Sequence, residues 1–368
     1  MIYSRIEEYD CVWGKDMCVT RQKKNALRSI FFSVLVALLF VACSPPASPS
    51  VDATSPRDLK AALTVQDTHT PVTPLGSLFY TYEGHKSMVF GVAWSPNTKR
   101  IASASLDGTV QVWDAATGKH VLVYHGHQGP VFTVRWSPDG EYLASTGYDH
   151  TVQVWNASTG KRQLLYLGHS ALVSAASWSP DGKSIASGGD DGTIQVWNAH
   201  TGKVRLSRHD DPGHVTAVEW SPDGTRLAIA SDNSIVQVWD ASTGYAIVSY
   251  QGHKAGVWAV TWSPDGRLVA SGSGDDTVQV WNPLTGKPIV VYRGHMSYVH
   301  EVVWSPDGKY IASGGYDRSV QVWNPMTGDL ETTYRGHSDV IISIAWSANG
   351  SRIASTGFDK TVQVWEAE

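Results

Sequence analysis

Short runs in which apolar and polar residues alternate, each closed by turn residues, make up most of this sequence. Between positions 121 and 160 four such runs follow one another: Val-Leu-Val-Tyr, Val-Phe-Thr-Val-Arg-Trp, Tyr-Leu-Ala-Ser and Thr-Val-Gln-Val-Trp. Runs of this length that are rich in β-branched and aromatic residues predict β-strands. Ser-Pro-Asp-Gly and Asn-Ala-Ser-Thr-Gly between them predict turns, because Pro presets φ and Gly accepts a positive φ. None of these runs has the 3.6-residue apolar period of a helix.

The strand pattern returns at a fixed interval of 42 residues. Counting seven such units back from Glu368 places the start of the array at Leu75. Units of about 40 to 45 residues with four strands are typical of propeller blades, which bury their apolar faces only against their neighbours. We therefore predict an all-β fold, a seven-bladed β-propeller of four-stranded antiparallel blades, over 75–368. The Trp residues that end the seven near-copies of Thr-Val-Gln-Val-Trp are Trp113, Trp155, Trp197, Trp239, Trp281, Trp323 and Trp365.

The turn residues of each unit resemble those of the WD-repeat β-propeller family. In the second unit they are Gly126-His127, Asp149 and Trp155-Asn156, and the likeness extends over the whole array without an insertion. Strict Trp-Asp pairs occur in two units, while the other units have Asn or Glu after the Trp. The function that this resemblance implies is that of a rigid scaffold for protein or peptide partners.

The resemblance also implies how the ring closes. In this family each sequence repeat begins with the outer strand of the preceding blade. The array ends at a third strand, 361–365, so the missing outer strand is expected from 78–82. Pairing of these two segments would join the N-terminal and C-terminal parts of the array and remove an unpaired sheet edge.

His, Ser and Asp recur in six units in an arrangement that invites comparison with a nucleophilic triad. Six equivalent copies argue against a catalytic centre, so we expect no enzyme. The resemblance implies a buried chain instead, in which Asp accepts from His, His bonds Ser, and Ser accepts the donor-only Trp indole. The expected tetrads are His85, Ser103, Asp107 and Trp113; His127, Ser145, Asp149 and Trp155; His169, Ser187, Asp191 and Trp197; His253, Ser271, Asp275 and Trp281; His295, Ser313, Asp317 and Trp323; and His337, Ser355, Asp359 and Trp365.

One face of the propeller is expected to carry aromatic side chains in the loops around the mouth of the axis. Two interpretations are open: these side chains plug the channel, or they form a patch that binds a protein or peptide partner. The candidates for partner binding are Phe90, Phe132, Tyr148, Trp258, Tyr298, His300, Tyr316 and Phe358.

The fourth unit breaks the pattern. It has Asp211 where His is expected, Ile229 in place of Ser and Asn233 in place of Asp. One interpretation is a degenerate blade repacked around Ile229. The alternative is an extracytoplasmic enzyme, or a site for a divalent metal, a small ligand or a cationic group, since oxygen and imidazole donors gather in this corner. The candidate metal ligands are His209, Asp210, Asp211, His214, Asp232 and Asp190.

The composition and charge of the chain limit the kinds of partner and cofactor that it can bind. A net charge of −5 argues against the basic stripe that nucleic acid requires. The array has neither a Gly-rich phosphate loop nor a zinc-binding His spacing, so no cofactor is predicted. All three cysteines precede the array, which excludes disulfides and thiolate metal sites within it. The propeller itself is expected to be monomeric.

The N-terminal residues predict export. Basic residues precede an apolar run at 30–41, which is followed by Ala42 and Cys43. This order is typical of a secretory signal, and it resembles a bacterial lipoprotein signal in which Cys43 becomes the lipidated N-terminus. We predict a signal at 1–43, a Pro/Ser/Thr-rich tether at 44–74, and a propeller on the extracytoplasmic side of a bacterial cell membrane. An uncleaved signal anchor and a start at Met17 remain open alternatives.

Overall fold

The computed structural model describes residues 75–209 and 213–367, and this part of the chain is built of strands and turns. It contains no helix that is long and apolar enough to cross a bilayer. The predicted signal, tether and lipidated Cys43 lie outside the described residues.

Twenty-eight strands form seven four-stranded antiparallel sheets, which confirms the predicted seven-bladed β-propeller. Within a blade the strands follow chain order from innermost to outermost, and each blade is named by its innermost strand. The strands are β1 (Leu78–Tyr82); blade 1, β2 (Val89–Trp94), β3 (Arg100–Ser105), β4 (Val110–Asp114), β5 (His120–Tyr124); blade 2, β6 (Val131–Trp136), β7 (Tyr142–Gly147), β8 (Val152–Asn156), β9 (Arg162–Tyr166); blade 3, β10 (Val173–Trp178), β11 (Ser184–Gly189), β12 (Ile194–Asn198), β13 (Val204–Arg208); blade 4, β14 (Val215–Trp220), β15 (Arg226–Ser231), β16 (Val236–Asp240), β17 (Ala246–Tyr250); blade 5, β18 (Val257–Trp262), β19 (Val269–Ser273), β20 (Val278–Trp281), β21 (Pro288–Tyr292); blade 6, β22 (Val299–Trp304), β23 (Ile311–Gly315), β24 (Val320–Trp323), β25 (Leu330–Tyr334); and blade 7, β26 (Ile341–Trp346), β27 (Arg352–Gly357), β28 (Val362–Glu366) with β1 as its outer strand.

The ring closes as predicted. β1 pairs antiparallel with β28, with Leu78 opposite Trp365 and Tyr82 opposite Val362. The first described strand therefore completes the last blade, and blade 7 has no unpaired third strand.

Neighbouring blades pack face against face. In one cluster, Ala102 and Val112 of blade 1 meet Val134, Trp136 and Leu143 of blade 2. The Trp136 indole also donates to a backbone carbonyl of blade 1, with Nε1 3.2 Å from the oxygen of Ala93. The interior consists of seven such clusters between blades, as expected for units that cannot bury their apolar faces alone.

All seven innermost strands share the same shift in pairing register. In each of them the pairing register with the second strand shifts between the first and third residues, as between Val89 and Gly91 in blade 1. A bulge of this kind re-aims the residue that it displaces. It places the second residue of each innermost strand, for example Phe90, at the entrance to the axis of the ring.

Candidate functional site

Two sets of loops meet at one end of the propeller. They are the loops from each outer strand to the next innermost strand and the loops between second and third strands. Backbone hydrogen bonds join them: Leu106 N donates to Met88 O at 2.9 Å, and Tyr148 N donates to Pro130 O at 2.9 Å. We call this end the tetrad face, because the His and Asp residues of the predicted tetrads lie in these loops.

The tetrad of blade 2 shows how the loops are held. The His127 Nδ1 atom lies 3.0 Å from Asp149 Oδ2, and its Nε2 atom lies 2.8 Å from Ser145 Oγ. The Trp155 indole donates to the same Ser145 oxygen at 3.1 Å. His127, Ser145 and Trp155 are all buried, so the chain is sealed from solvent. The same bonds occur in blades 3, 5, 6 and 7.

The charge state of Asp149 determines which atoms donate and which accept in this chain of hydrogen bonds. Burial alone raises the pKa of this carboxyl, but hydrogen bonds from His127, the Gln128 amide and Thr151 lower it more, so it lies well below its usual range. The Asp is therefore an anionic acceptor, and His127 donates to it through Nδ1. Its Nε2 then accepts the Ser145 hydroxyl proton, which leaves the Ser oxygen free to accept the indole.

Blade 1 departs from the predicted tetrad. His85 bonds Asp107 at 2.9 Å and Ser103 at 2.7 Å as expected. The Trp113 indole, however, donates to the Tyr80 hydroxyl at 3.0 Å, so the expectation of a bond to Ser103 is wrong. The other outer strands have Leu, Val or Thr at the position of Tyr80, and only here does a phenol compete for the indole. Burial, the largest cause, raises the pKa of Tyr80 to about 12 and keeps it a neutral acceptor.

A second, unpredicted layer of hydrogen bonds and ring stacking surrounds each tetrad. In blade 2, the Tyr124 ring from the preceding outer strand stacks on Trp155, with centroids 4.4 Å apart and ring planes 5° apart. The Tyr124 hydroxyl donates to Gln153 Oε1 at 2.7 Å, and Gln153 Nε2 donates to the Gly126 carbonyl at 3.2 Å. Because the Tyr belongs to one blade and the Trp to the next, each stack ties two blades together. Six Tyr-Gln pairs recur at the same 42-residue interval as the Trp residues, a signal that was present in the sequence: Tyr82-Gln111, Tyr124-Gln153, Tyr166-Gln195, Tyr250-Gln279, Tyr292-Gln321 and Tyr334-Gln363.

Blade 4 provides a different acceptor for its buried indole. The outer strand before it ends in Arg208 where the other outer strands have Tyr. Ile229 is 1% exposed and packs in a cluster with Trp239 and Leu206. The Trp239 indole donates to Gln237 Oε1 at 2.7 Å. Gln237, which has no Tyr partner at this seam, therefore provides the acceptor that Ser provides in the other blades.

The candidate metal corner is only partly described, because Asp210 and Asp211 lie outside the described residues. His214 Nδ1 is 3.1 Å from Asp232 Oδ2. The contact of His214 Nδ1 with the Asp232 carboxylate, which accepts from it, and the nearby charge of Asp190 raise the pKa of His214 against the effect of burial. Over 75–209 and 213–367, no three His, Cys, Asp or Glu residues are arranged to hold a metal ion. What the structure shows here is an ion pair.

The aromatic candidates form separate groups. Phe90 contacts Phe132 at 5.5 Å between ring centroids and Phe358 at 6.4 Å. Phe358 is only 4% exposed, so its prediction as a partner-binding residue is wrong. Tyr298 and Tyr316 pair at 5.5 Å on blade 6, and both are half-buried.

Across the ring from Phe132, Trp258 and His300 lie stacked, with centroids 6.1 Å apart and planes 6° apart. His300 Nδ1 donates to the Ile342 carbonyl at 2.9 Å. Burial lowers the pKa of His300 to about 4, so the ring is neutral at pH 7. We call Phe90, Phe132, Trp258 and His300, the second residues of four innermost strands, the aromatic collar.

Tyr148 of blade 2 is the most exposed of the eight candidates that the structure describes, with 44% of its surface accessible. The tetrad face therefore presents half-exposed aromatic side chains on loops that hydrogen bonds fix in place.

Beneath the collar lies a set of charged side chains that was not predicted from the sequence. Arg135, Glu219 and Glu301 lie on the innermost strands of blades 2, 4 and 6. The charge of Arg135 lowers the pKa of both carboxyls, and the charge of Glu301 raises that of Glu219. The three groups therefore act on one another across the axis. We call them the axial charge set.

Two family models match the chain. The model described as "WDR19 first beta-propeller" matches residues 175–338, and the model described as "WD domain, G-beta repeat" matches 76–114, 118–156 and 328–366. Among curated proteins, the chain is 50% identical over 42 residues to "Protein HIRA homolog" of Drosophila melanogaster. It is 48% identical over 40 residues to "Striatin-4" of Homo sapiens. Each match covers 11% of this chain and 4–5% of the length of the relative.

Proposed function

We propose that this chain is a rigid scaffold that binds protein or peptide partners through the tetrad face. The WD40 repeats and the β-propeller domain found in it support its membership of the WD-repeat propeller family. Propellers built from WD40 repeats generally mediate protein–protein interaction. The argument for this particular face comes from its side chains.

The observation that carries the proposal is the partly exposed aromatic surface formed by the aromatic collar and Tyr148. Trp258 lies on the innermost strand β18, and Tyr148 lies on a loop that a tetrad and a backbone hydrogen bond already order. Large aromatic side chains are the usual anchors of an interface, and pre-ordered loops lose little entropy on binding. Plugging of the axis accounts for Phe358, which is buried, but not for Tyr148.

We further propose that the scaffold is exported and anchored to a bacterial cell membrane. The support is the order of basic, apolar and small residues before Cys43 in the sequence. In this proposal 44–74 is the tether, and Cys43→Ser releases the full chain from membranes. Persistent membrane association of Cys43→Ser would contradict a lipid anchor.

Site-specific crosslinking tests the binding face. A photo-crosslinking residue is introduced in the full chain at position 148 of the tetrad face or at position 284. Leu284 is 61% exposed in the turn between β20 and β21, at the opposite end of the propeller, and serves as the control. We expect a partner adduct from position 148 that Trp258→Ala abolishes. Adducts that form equally from position 284, or that survive Trp258→Ala, would contradict the proposal.

A further inference from the structure

The innermost strands surround the axis, and their third and fifth residues are almost all small or uncharged. All fourteen positions lie within the described residues. Only three of them have a charged side chain: Arg135, Glu219 and Glu301. The remaining ones are Gly91, Ala93, Thr133, Ala175, Ser177, Ala217, Ala259, Thr261, Val303, Ser343 and Ala345. The axial charge set thus combines two carboxyl groups with one guanidinium.

The set lies directly under the aromatic collar. Glu301 follows His300 in β22, and its Oε2 atom accepts a hydrogen bond from Ser343 Oγ at 3.2 Å. Glu219 and Arg135 lie two residues deeper along their strands, about 7 Å further from the mouth. Glu219 and Glu301 are half-buried, so each residue keeps part of its accessible surface.

One guanidinium does not compensate two carboxylates here. Burial is the largest cause that raises the pKa of Glu219, to about 7, and the Glu301 charge raises it further, while Thr261 and Arg135 lower it. Burial likewise raises the pKa of Glu301 in spite of Arg135 and Ser343. The charge of Arg135 therefore offsets only part of the effect of burial on the two carboxyls. Within the described axis, His300 is the other titratable neighbour, and it is neutral.

We propose that the partner of the tetrad face presents a basic side chain, Lys or Arg, which passes through the aromatic collar and pairs with Glu301 and Glu219. This inference rests on the proposed function and names the chemistry of the partner. The argument is charge complementarity: the axis holds two carboxyl groups and only one guanidinium, so a further cation would allow both carboxyl groups to ionise. Aromatic rings such as those of Trp258 and Phe90 at its mouth attract cations.

The pairing is linked to protons. A cation at Glu219 stabilises its carboxylate, so binding lowers the pKa of Glu219 and releases a proton. Affinity therefore rises with pH as the free carboxyl titrates near its pKa of about 7. Between pH 6 and pH 8 the deprotonated fraction of such a group rises about tenfold, and affinity is expected to rise by the same factor.

The probes are pools of nine-residue peptides with a fixed central residue and mixed flanks. One pool has central Arg, one central Lys, and one central citrulline, a neutral analogue of Arg; ethylguanidinium tests a free small cation. Each probe is titrated into the full chain and into Glu219→Gln and Glu301→Gln. Glu331→Gln, on the exposed outer strand of blade 6, matches their charge change and serves as control. Melting temperatures verify that each variant is folded. If Glu219→Gln is not folded, Glu301→Gln decides the test.

We expect the Arg or Lys pool to bind at least about tenfold more tightly than the citrulline pool, with the advantage lost in both axial variants and kept in Glu331→Gln. Equal binding of charged and neutral pools would overturn the inference, as would the absence of binding by every pool. The crosslinks from position 148 would still decide the proposed function in both cases. Ethylguanidinium that binds as tightly as the Arg pool would contradict a peptide partner.

Discussion

Blades 2 and 4 have the same strands and turns, yet they satisfy the same buried indole in different ways. In blade 2 the Trp155 indole donates to Ser145, which in turn is bonded by a buried His. In blade 4 the Trp239 indole donates to Gln237, and Ile229 fills the place of the Ser. Both indoles are fully buried, and each has one acceptor. Ser and Gln are thus alternative acceptors for this indole, and the Tyr80 hydroxyl of blade 1 is a third.

The difference also extends across the seam between blades. Tyr124 reaches from blade 1 to stack on Trp155 and occupies the amide oxygen of Gln153. At the seam between blades 3 and 4, Arg208 replaces this Tyr, and the equivalent Gln is available to the indole. Loss of the Tyr and loss of the tetrad occur together, because a partly satisfied buried network is less stable than a fully rearranged one.

Removal of a tetrad imidazole should have the largest effect. His127→Ala leaves the buried Asp149 and Ser145 without their shared partner, and we expect the free energy of unfolding to fall by about 3 kcal/mol. The measurement is urea denaturation of the full chain. His125→Ala, an exposed His two residues earlier, should change stability little. An unchanged stability of His127→Ala would show that the tetrad does not stabilise the blade.

In blade 4 the corresponding weak point is Gln237. Gln237→Leu leaves the Trp239 indole without an acceptor and should cost about 1–2 kcal/mol. Ile229→Ser in the same chain places a hydroxyl where other blades have theirs, so it should recover part of this loss. A double-mutant cycle measures the coupling between the two positions. Strictly additive effects would contradict the idea that Ser and Gln are interchangeable acceptors.

Arg208→Tyr should bring blade 4 closer to the other blades. A Tyr at this position can stack on Trp239 as Tyr124 stacks on Trp155, and an aromatic pair contributes about 1 kcal/mol. We expect a small rise in the melting temperature of the full chain. Arg208→Met removes the same charge and the contact with the Tyr245 ring without supplying a ring, so it should show no such gain.

The pH dependence of the His214–Asp232 pair should be the smallest effect. The folded pKa of His214 is raised, mainly by its hydrogen bond to Asp232. The pair therefore stabilises the fold fully below the unfolded His pKa of about 6.5, and this contribution is lost as the pH rises through the folded pKa. Because both side chains are partly exposed, we expect less than about 1 kcal/mol. His214→Asn should remove this slope, and a slope of opposite sign in the native chain would contradict the account.

Much of the fold could be predicted because it depends on one period. Trp residues 42 positions apart indicate the number of blades, and the strand at 78–82 follows from counting strands. The errors arose where a residue departs from that period. Tyr80 is a single phenol among apolar residues, and it diverts the Trp113 indole. Phe358 is aromatic like its neighbours at the axis, but only the packed structure shows that it is buried.

The axial charge set illustrates what a linear sequence does not reveal. Arg135 and Glu219 occupy equivalent positions in blades 2 and 4, whereas Glu301 in blade 6 lies two residues earlier in its strand. Nothing in their spacing indicates contact, because their proximity arises only when the ring closes around the axis. The Tyr-Gln pairs are the opposite case: six of them recur at the 42-residue interval and are visible in the sequence.

The most direct test of partner binding is hydrogen exchange of the full chain with and without the partner captured at position 148. Amide exchange should slow in the loops of the tetrad face, above all at 125–130 and 293–298, which adjoin Tyr148 and Tyr298. The turns at the opposite end, such as 282–287, should exchange at an unchanged rate. Slower exchange confined to the outer strands or to the opposite turns would contradict the assignment of the tetrad face as the binding surface.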